Sequence, residues 1–124
     1  MSEREGGLSS TRDVAHAYLD AWPAGDLDAV RGLVAAGATV ECNLTGHGDA
    51  AHLVAALGRL AAAVDAVRLV SEVYVGGRAA LVSDWLVGGD GVRVAEYLTV
   101  VDGWIADLRR VGDAVAARQL LRCM

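Results

Sequence analysis

The sequence has no phenylalanine, no lysine, one proline and two cysteines in 124 residues. Each shortage excludes something. Cys42 and Cys123 make no disulfide framework, and no CxxC is present. All eleven basic side chains are Arg, sixteen acids outweigh them, and the net charge of −5 does not fit a nucleic-acid binder. No apolar run reaches the roughly 18 residues of a membrane span, because charges and glycines interrupt all of them. The opening residues, MSEREGGLSS, hold no hydrophobic segment. No signal peptide is expected, and the chain reads as cytoplasmic. No phosphate-binding loop and no Ser–His–Asp arrangement is found. His47 and His52 stand across a turn and a helix start, a spacing that makes no metal pair. The expected cofactors and metals are none.

Apolar residues make up 54% of the chain, which argues against disorder, and the length suits one domain with a real core. Residues 1–9 read as a flexible tail and 10–124 as a single domain. The composition leans on Ala, Gly, Val and Arg, so alanine is weak testimony for helix here.

The most informative stretch is Gly91 to Val111, GVRVAEYLTVVDGWIADLRRV. It reads as two strands, Val92 to Val100 and Trp104 to Val111, joined at Asp102-Gly103, a dipeptide that favours hairpins. A three-residue loop would set Val100 against Trp104, Glu96 against Leu108 and Val94 against Arg110. Side chains alternate between faces, so Val92, Val94, Glu96, Leu98, Leu108 and Arg110 would share one face. A two-residue turn would slip the pairing and bring Arg109 there instead. Either way a carboxylate stands in an apolar row beside a guanidinium.

Before that hairpin, Ser10 caps a helix carrying Val14, Tyr18 and Ala21 at helical spacing, with Leu19 and Trp22 beside them; Pro23 stops it. Asp26 caps a second helix, Leu27 to Ala36, ended by Gly37. Ala38 to Leu44 reads as a strand and Thr45 to Gly48 as a turn. Asp49 caps a third helix to about Val64, with Leu53, Leu57 and Leu60 on its apolar side. Val67 to Val75 and Ala79 to Val87 are strands. Asp113 to Met124 reads as a short helix or tail, and His16 as solvent-facing. Helices first and an antiparallel meander second make an α+β fold with helices on one face of a curved sheet.

The segments AYLDAWPAGDLDAVRGLVAAGATVE (Ala17 to Glu41), GHGDAAHL (Gly46 to Leu53) and VDGWIADLRRVGD (Val101 to Asp113) resemble the nuclear transport factor 2-like superfamily. That group includes ketosteroid isomerases, limonene-type epoxide hydrolases and SnoaL-like polyketide cyclases. The resemblance covers roughly Thr11 to Asp113. It implies a cone, a cystatin-like roll in which the curved sheet wraps the first helix around an apolar pocket, and a homodimer through the outer sheet face. Against the isomerase pattern, Tyr18 matches the first-helix tyrosine, Glu96 the late-strand acid, and Cys42 stands where the base would be. Against the epoxide hydrolase pattern, Asn43 matches, Glu41 replaces a tyrosine, Asp84 matches one acid, Val82 replaces the arginine, and Arg110 replaces the other acid.

The expected catalytic set is therefore Glu96, Tyr18, Asp84 and Arg110, with Glu96 as general acid/base and Tyr18 and Arg110 stabilising negative charge. Asp84 faces the pocket only on one setting of the loop Gly88 to Gly91; a two-residue turn there would turn Ser83 and Trp85 inward. Ligand-binding positions are Val14, Trp22, Cys42, Asn43, Leu57, Ser83, Trp85, Val94, Leu98 and Leu108. Such a lining suits an uncharged, apolar, oxygen-bearing molecule of polyketide, steroid or terpenoid kind. The pocket should be roomy unless Trp22, Trp85 or Trp104 turns inward. The expected reaction is proton transfer: cyclisation, isomerisation or epoxide opening. The alternative is a non-catalytic ligand-binding or dimerisation module.

Overall fold

Side-chain oxygens start all three helices of the computed structural model, which describes residues 10–43 and 46–113. Ser10 Oγ accepts from the Asp13 amide at 3.0 Å and opens α1 (Thr11–Ala21). Asp26 does the same for α2 (Leu27–Arg31) through the Ala29 amide, and Asp49 for α3 (Ala50–Ala63) through the His52 amide. Each cap satisfies one of the amides that a helix start leaves unpaired. The expected tail at residues 1–9 and the segment beyond Asp113 lie outside the described residues.

The strands are β1 (Val34–Cys42), β2 (Gly46–Gly48), β3 (Ala66–Val75), β4 (Arg78–Val87), β5 (Asp90–Val101) and β6 (Trp104–Gly112). They form one sheet in the order β2-β1-β6-β5-β4-β3, antiparallel except where β1 runs parallel to β6. The sheet curves without closing, so the fold is α+β as expected, with the helices on one face. No helix among the described residues is long and apolar enough to cross a membrane.

Two expected boundaries move. α2 ends at Arg31 rather than Ala36, because Val34 pairs with Ile105 and the Leu33 carbonyl accepts from the Ile105 amide at 2.8 Å. Sheet pairing with a distant strand overrides the helical bias of Leu33 to Ala36. The stretch expected to be a turn at Gly46 to Gly48 instead pairs with β1, Glu41 opposite His47.

The hairpin shows how two irregularities combine. Asp102 and Gly103 have positive φ of 53° and 82°, a two-residue turn that pairs Val101 with Trp104. Taken alone, this turn would set Glu96 opposite Arg109. A bulge then adds one residue on β6, Ala106, between the pairs Val100–Ile105 and Thr99–Asp107. Glu96 therefore stands opposite Arg110 rather than Leu108. The three-residue loop was the wrong device, but turn and bulge together shift the pairing by two, so the expected inner face survives.

On that face Val92, Val94, Leu98 and Leu108 are buried against Val14, Tyr18 and Trp22 of the first helical region and Leu53, Leu57 and Leu60 of α3. Gly77 is required by close approach: a Cβ there would lie 2.6 Å from the Val100 carbonyl oxygen. That closeness lets the Gly77 carbonyl accept from the Val100 amide at 2.7 Å and ties the β3–β4 turn to β5.

Candidate functional site

The inner face carries one row of facing residues across four strands: Cys42 on β1, Arg110 on β6, Glu96 on β5 and Leu81 on β4. All four are essentially inaccessible to solvent. Tyr18 reaches this row from α1. Its hydroxyl donates to Glu96 Oε2 at 2.6 Å and accepts from Arg110 Nη2 at 2.5 Å. Arg110 donates to the same Glu96 Oε2 from both Nε and Nη2, each at 3.1 Å. Three donors thus converge on one carboxylate oxygen. The other, Oε1, has no hydrogen-bond partner among the described residues, and neither has Arg110 Nη1. A forked pair would ordinarily use both oxygens. Leaving a buried acceptor bare costs about 1–3 kcal/mol, and more for an ionised one.

The guanidinium extends across β5 to lie over the Trp85 ring of β4, 5.3 Å from its centroid, a cation–π contact. Trp22 meets Trp85 edge to face at 5.1 Å and 62°. Burial pushes the Tyr18 hydroxyl well above its ordinary pKa; attraction to Arg110 opposes this and the Glu96 charge adds to it. Tyr18 is therefore a neutral donor. Burial alone would lower the Arg110 value, but Tyr18 and Glu96 more than offset it, so the guanidinium stays charged.

Solved structures of nuclear transport factor 2-like type match the chain across most of its length. A protein from Kribbella flavida superposes with a TM-score of 0.79 at 28% identity, over 90% of this chain and 93% of that one. A steroid delta-isomerase from Pseudomonas aeruginosa gives 0.74 at 14% identity, over 94% and 88%. IdmH, a candidate polyketide cyclase from Streptomyces antibioticus, gives 0.74 at 18% identity, over 91% and 99%. This is the nuclear transport factor 2-like fold. No protein-family model matches the sequence, and no curated protein does.

Within that fold the expected site residues separate. Glu96, Tyr18 and Arg110 meet, and Arg110 rather than Arg109 faces inward. Ser83, Trp85, Trp22 and Cys42 are buried with them, as are Val14, Leu57, Val94, Leu98 and Leu108. Asp84 does not join. Gly88-Gly89 is a two-residue turn pairing Val87 with Asp90, so Asp84 points outward to a forked pair with Arg93, at 2.8 and 3.0 Å. Its bonds to Arg93 hold the Asp84 carboxyl below its usual range. Asn43 is also outside. Its side chain clamps the Gly112 backbone, accepting from the amide at 3.0 Å and donating to the carbonyl at 2.9 Å.

The expected exception to a roomy lining applies. Trp22 and Trp85 turn inward and fill much of the space that the small residues would leave. An open hollow of about 880 Å³ lies instead on the outer face, along the row His47, Glu41, Arg109, Tyr97, Ala80 and Val73. Sequence reasoning missed this hollow, because its residues are unremarkable until sheet curvature gathers them. It also missed the link between α1 and β3. His16 is half-buried and bonds Glu72 at 2.7 Å, and Tyr74 donates to the same carboxylate at 2.9 Å.

Proposed function

We propose that this chain is a small-molecule enzyme that moves a proton at Glu96 inside the cone. The bare Oε1 of a buried carboxylate whose other oxygen is held by Tyr18 and Arg110 carries this reading. Glu96 Oε1 removes a proton from carbon next to a carbonyl. The C–H electron pair moves into the C–C bond and the negative charge to the carbonyl oxygen, where Arg110 stabilises it. Glu96, now a carboxylic acid, returns a proton to carbon. Tyr18 stays protonated and holds Oε2. Isomerisation or cyclisation of a neutral polyketide-, steroid- or terpenoid-like ketone fits this geometry better than epoxide opening, for which Asp84 would be needed in the site. The steroid delta-isomerase and candidate cyclase among the similar structures support the same class.

A non-catalytic ligand-binding role is the second reading. It is favoured by the indoles of Trp22 and Trp85, which fill the interior, and by the engagement of Glu96 Oε2. Proton NMR in D2O separates the two. Wild-type protein should speed deuterium exchange into the methyl group of acetophenone, and Glu96→Gln should abolish that while keeping the fold by circular dichroism. No catalysed exchange by the wild type would favour the second reading.

The working unit we propose is a homodimer packed through the outer sheet face, where Val73, Val75, Tyr97 and Val111 stay exposed and apolar. Sedimentation at micromolar concentration should give about twice the 12.8 kDa chain mass, and a single-chain mass would rule the dimer out.

A further inference from the structure

The proton-transfer reading uses two of five buried polar atoms that lack a hydrogen-bond partner among the described residues. The others are Ser83 Oγ, Trp85 Nε1 and Trp22 Nε1. They lie close to the triad. Ser83 pairs with Val94, two residues from Glu96, and is a diagonal neighbour of it, at a distance of roughly 7–8 Å between backbones. Trp85 follows Ser83 on the same inner face and lies under the Arg110 guanidinium. Trp22 touches Trp85.

These groups are unbalanced in kind. An indole N–H and a guanidinium N–H can only donate, and a serine hydroxyl can do so too. Three donor-only groups and one hydroxyl that can act either way therefore stand against one bare carboxylate oxygen, Glu96 Oε1. Arg110 and Glu96 cancel in charge, so an anionic ligand would bring a buried charge with no counter-charge to meet it. A neutral ligand whose oxygen only accepts completes the set.

We propose that Ser83, Trp85 and the Nη1 arm of Arg110 form a donor subsite for the carbonyl oxygen of a neutral ketone, next to the carboxylate oxygen that handles its proton. The inference rests on the placement of the ligand at Glu96 and adds to it the residues that select a ketone. The cation–π contact gives Trp85 a second part in this: it holds the guanidinium so that Nε and Nη2 both turn to Glu96 Oε2 and Nη1 is left over. The two indoles that crowd the cone are then the recognition surface for a small ketone, and a hydrocarbon of the same shape would leave every one of these donors unpaired.

The test compares acetophenone with α-methylstyrene, which replaces the carbonyl oxygen by a methylene and keeps the shape. The indole N–H signals of Trp22, Trp85 and Trp104 are followed in 15N-labelled wild-type protein, with Trp104 as reference. The Trp85 signal should move downfield with acetophenone and stay with α-methylstyrene, and the ketone should bind at least about tenfold more tightly. Ser83→Ala and Trp85→Phe should each cut that preference by about twofold to tenfold. Equal affinities, an unmoved Trp85 signal, no binding of the ketone, or a preference that survives both substitutions would each overturn the subsite. The wild-type spectrum keeps the test decisive if Trp85→Phe fails to fold. A ketone preference without catalysed deuterium exchange would leave the subsite standing and sink the proton-transfer reading. Exchange without a preference would do the reverse.

Discussion

Arg109 and Arg110 are neighbours in the chain and live in opposite surroundings. The Arg110 side chain is 0% exposed, gives hydrogen bonds to Glu96 and Tyr18, and lies over an indole. The Arg109 side chain is 62% exposed and reaches Glu41 and Asp107 only at 3.8 and 3.4 Å. The same contrast runs across the whole sheet. Inside, one charge pair is held in a dry row of apolar residues. Outside, charges, Tyr97 and valines line an open hollow. Identical chemistry one residue apart is worth very different amounts, because an unpaired charge is costly inside and nearly free outside.

The sharpest way to break this contrast is to exchange the two faces. Inserting one alanine after Ala106 should slip β6 so that Arg109 faces Glu96 and Leu108 turns outward. We expect loss of the cooperative urea transition, followed by circular dichroism. Deleting Ala106 should instead iron out the bulge, keep the Glu96–Arg110 pairing and leave a cooperative transition. Next in size, Arg110→Met leaves Glu96 charged and alone and should cost about 3–5 kcal/mol in urea unfolding. The matched Arg109→Met change should cost no more than about 1 kcal/mol. Pairing Arg110→Met with Glu96→Leu should recover most of the loss, since an apolar pair of similar volume often replaces a buried ion pair without cost.

The smallest effect appears only in alkali. Tyr18 is raised above its unfolded value of about 10, so its contribution is full below that pH and is lost as pH climbs through the folded value. Tyr74, raised to about 12, follows the same sign. Absorbance at 295 nm should show Tyr18 ionising only as the protein unfolds, and Tyr18→Phe should flatten the fall in stability above pH 10. A Tyr18 that titrates near pH 10 in folded protein would contradict its burial.

What could be read in advance follows the range of the interactions. Caps at Ser10, Asp26 and Asp49 are local, and all three form. The inner face of β5 and β6 depends only on alternation, so Glu96 and Arg110 were legible as facing residues although the turn was misjudged. The bulge at Ala106 leaves no mark in composition; an alanine there looks like any other. The short α2 depends on Ile105, more than seventy residues away, and no local pattern around Leu33 records that pairing. Whether Asp84 or Ser83 faces inward stayed open because Gly88-Gly89-Asp90-Gly91 admits more than one turn, each reversing the faces of β4; the two-residue turn puts Ser83 inside. Trp22 and Trp85 meet inside across more than sixty residues of sequence, a contact that no local pattern records.

Among the described residues the sheet does not close and has two borders, both poor templates for a foreign strand. On one side the last strand, β2, is only three residues long, offering little to extend. On the other, β3 is interrupted at Val70, an extra residue that breaks the ladder between Leu69–Ser83 and Ser71–Val82. A short border and a kinked one are the usual protections against edge-on polymerisation. This chain can thereby leave valines exposed on its outer face with less risk that they seed fibres.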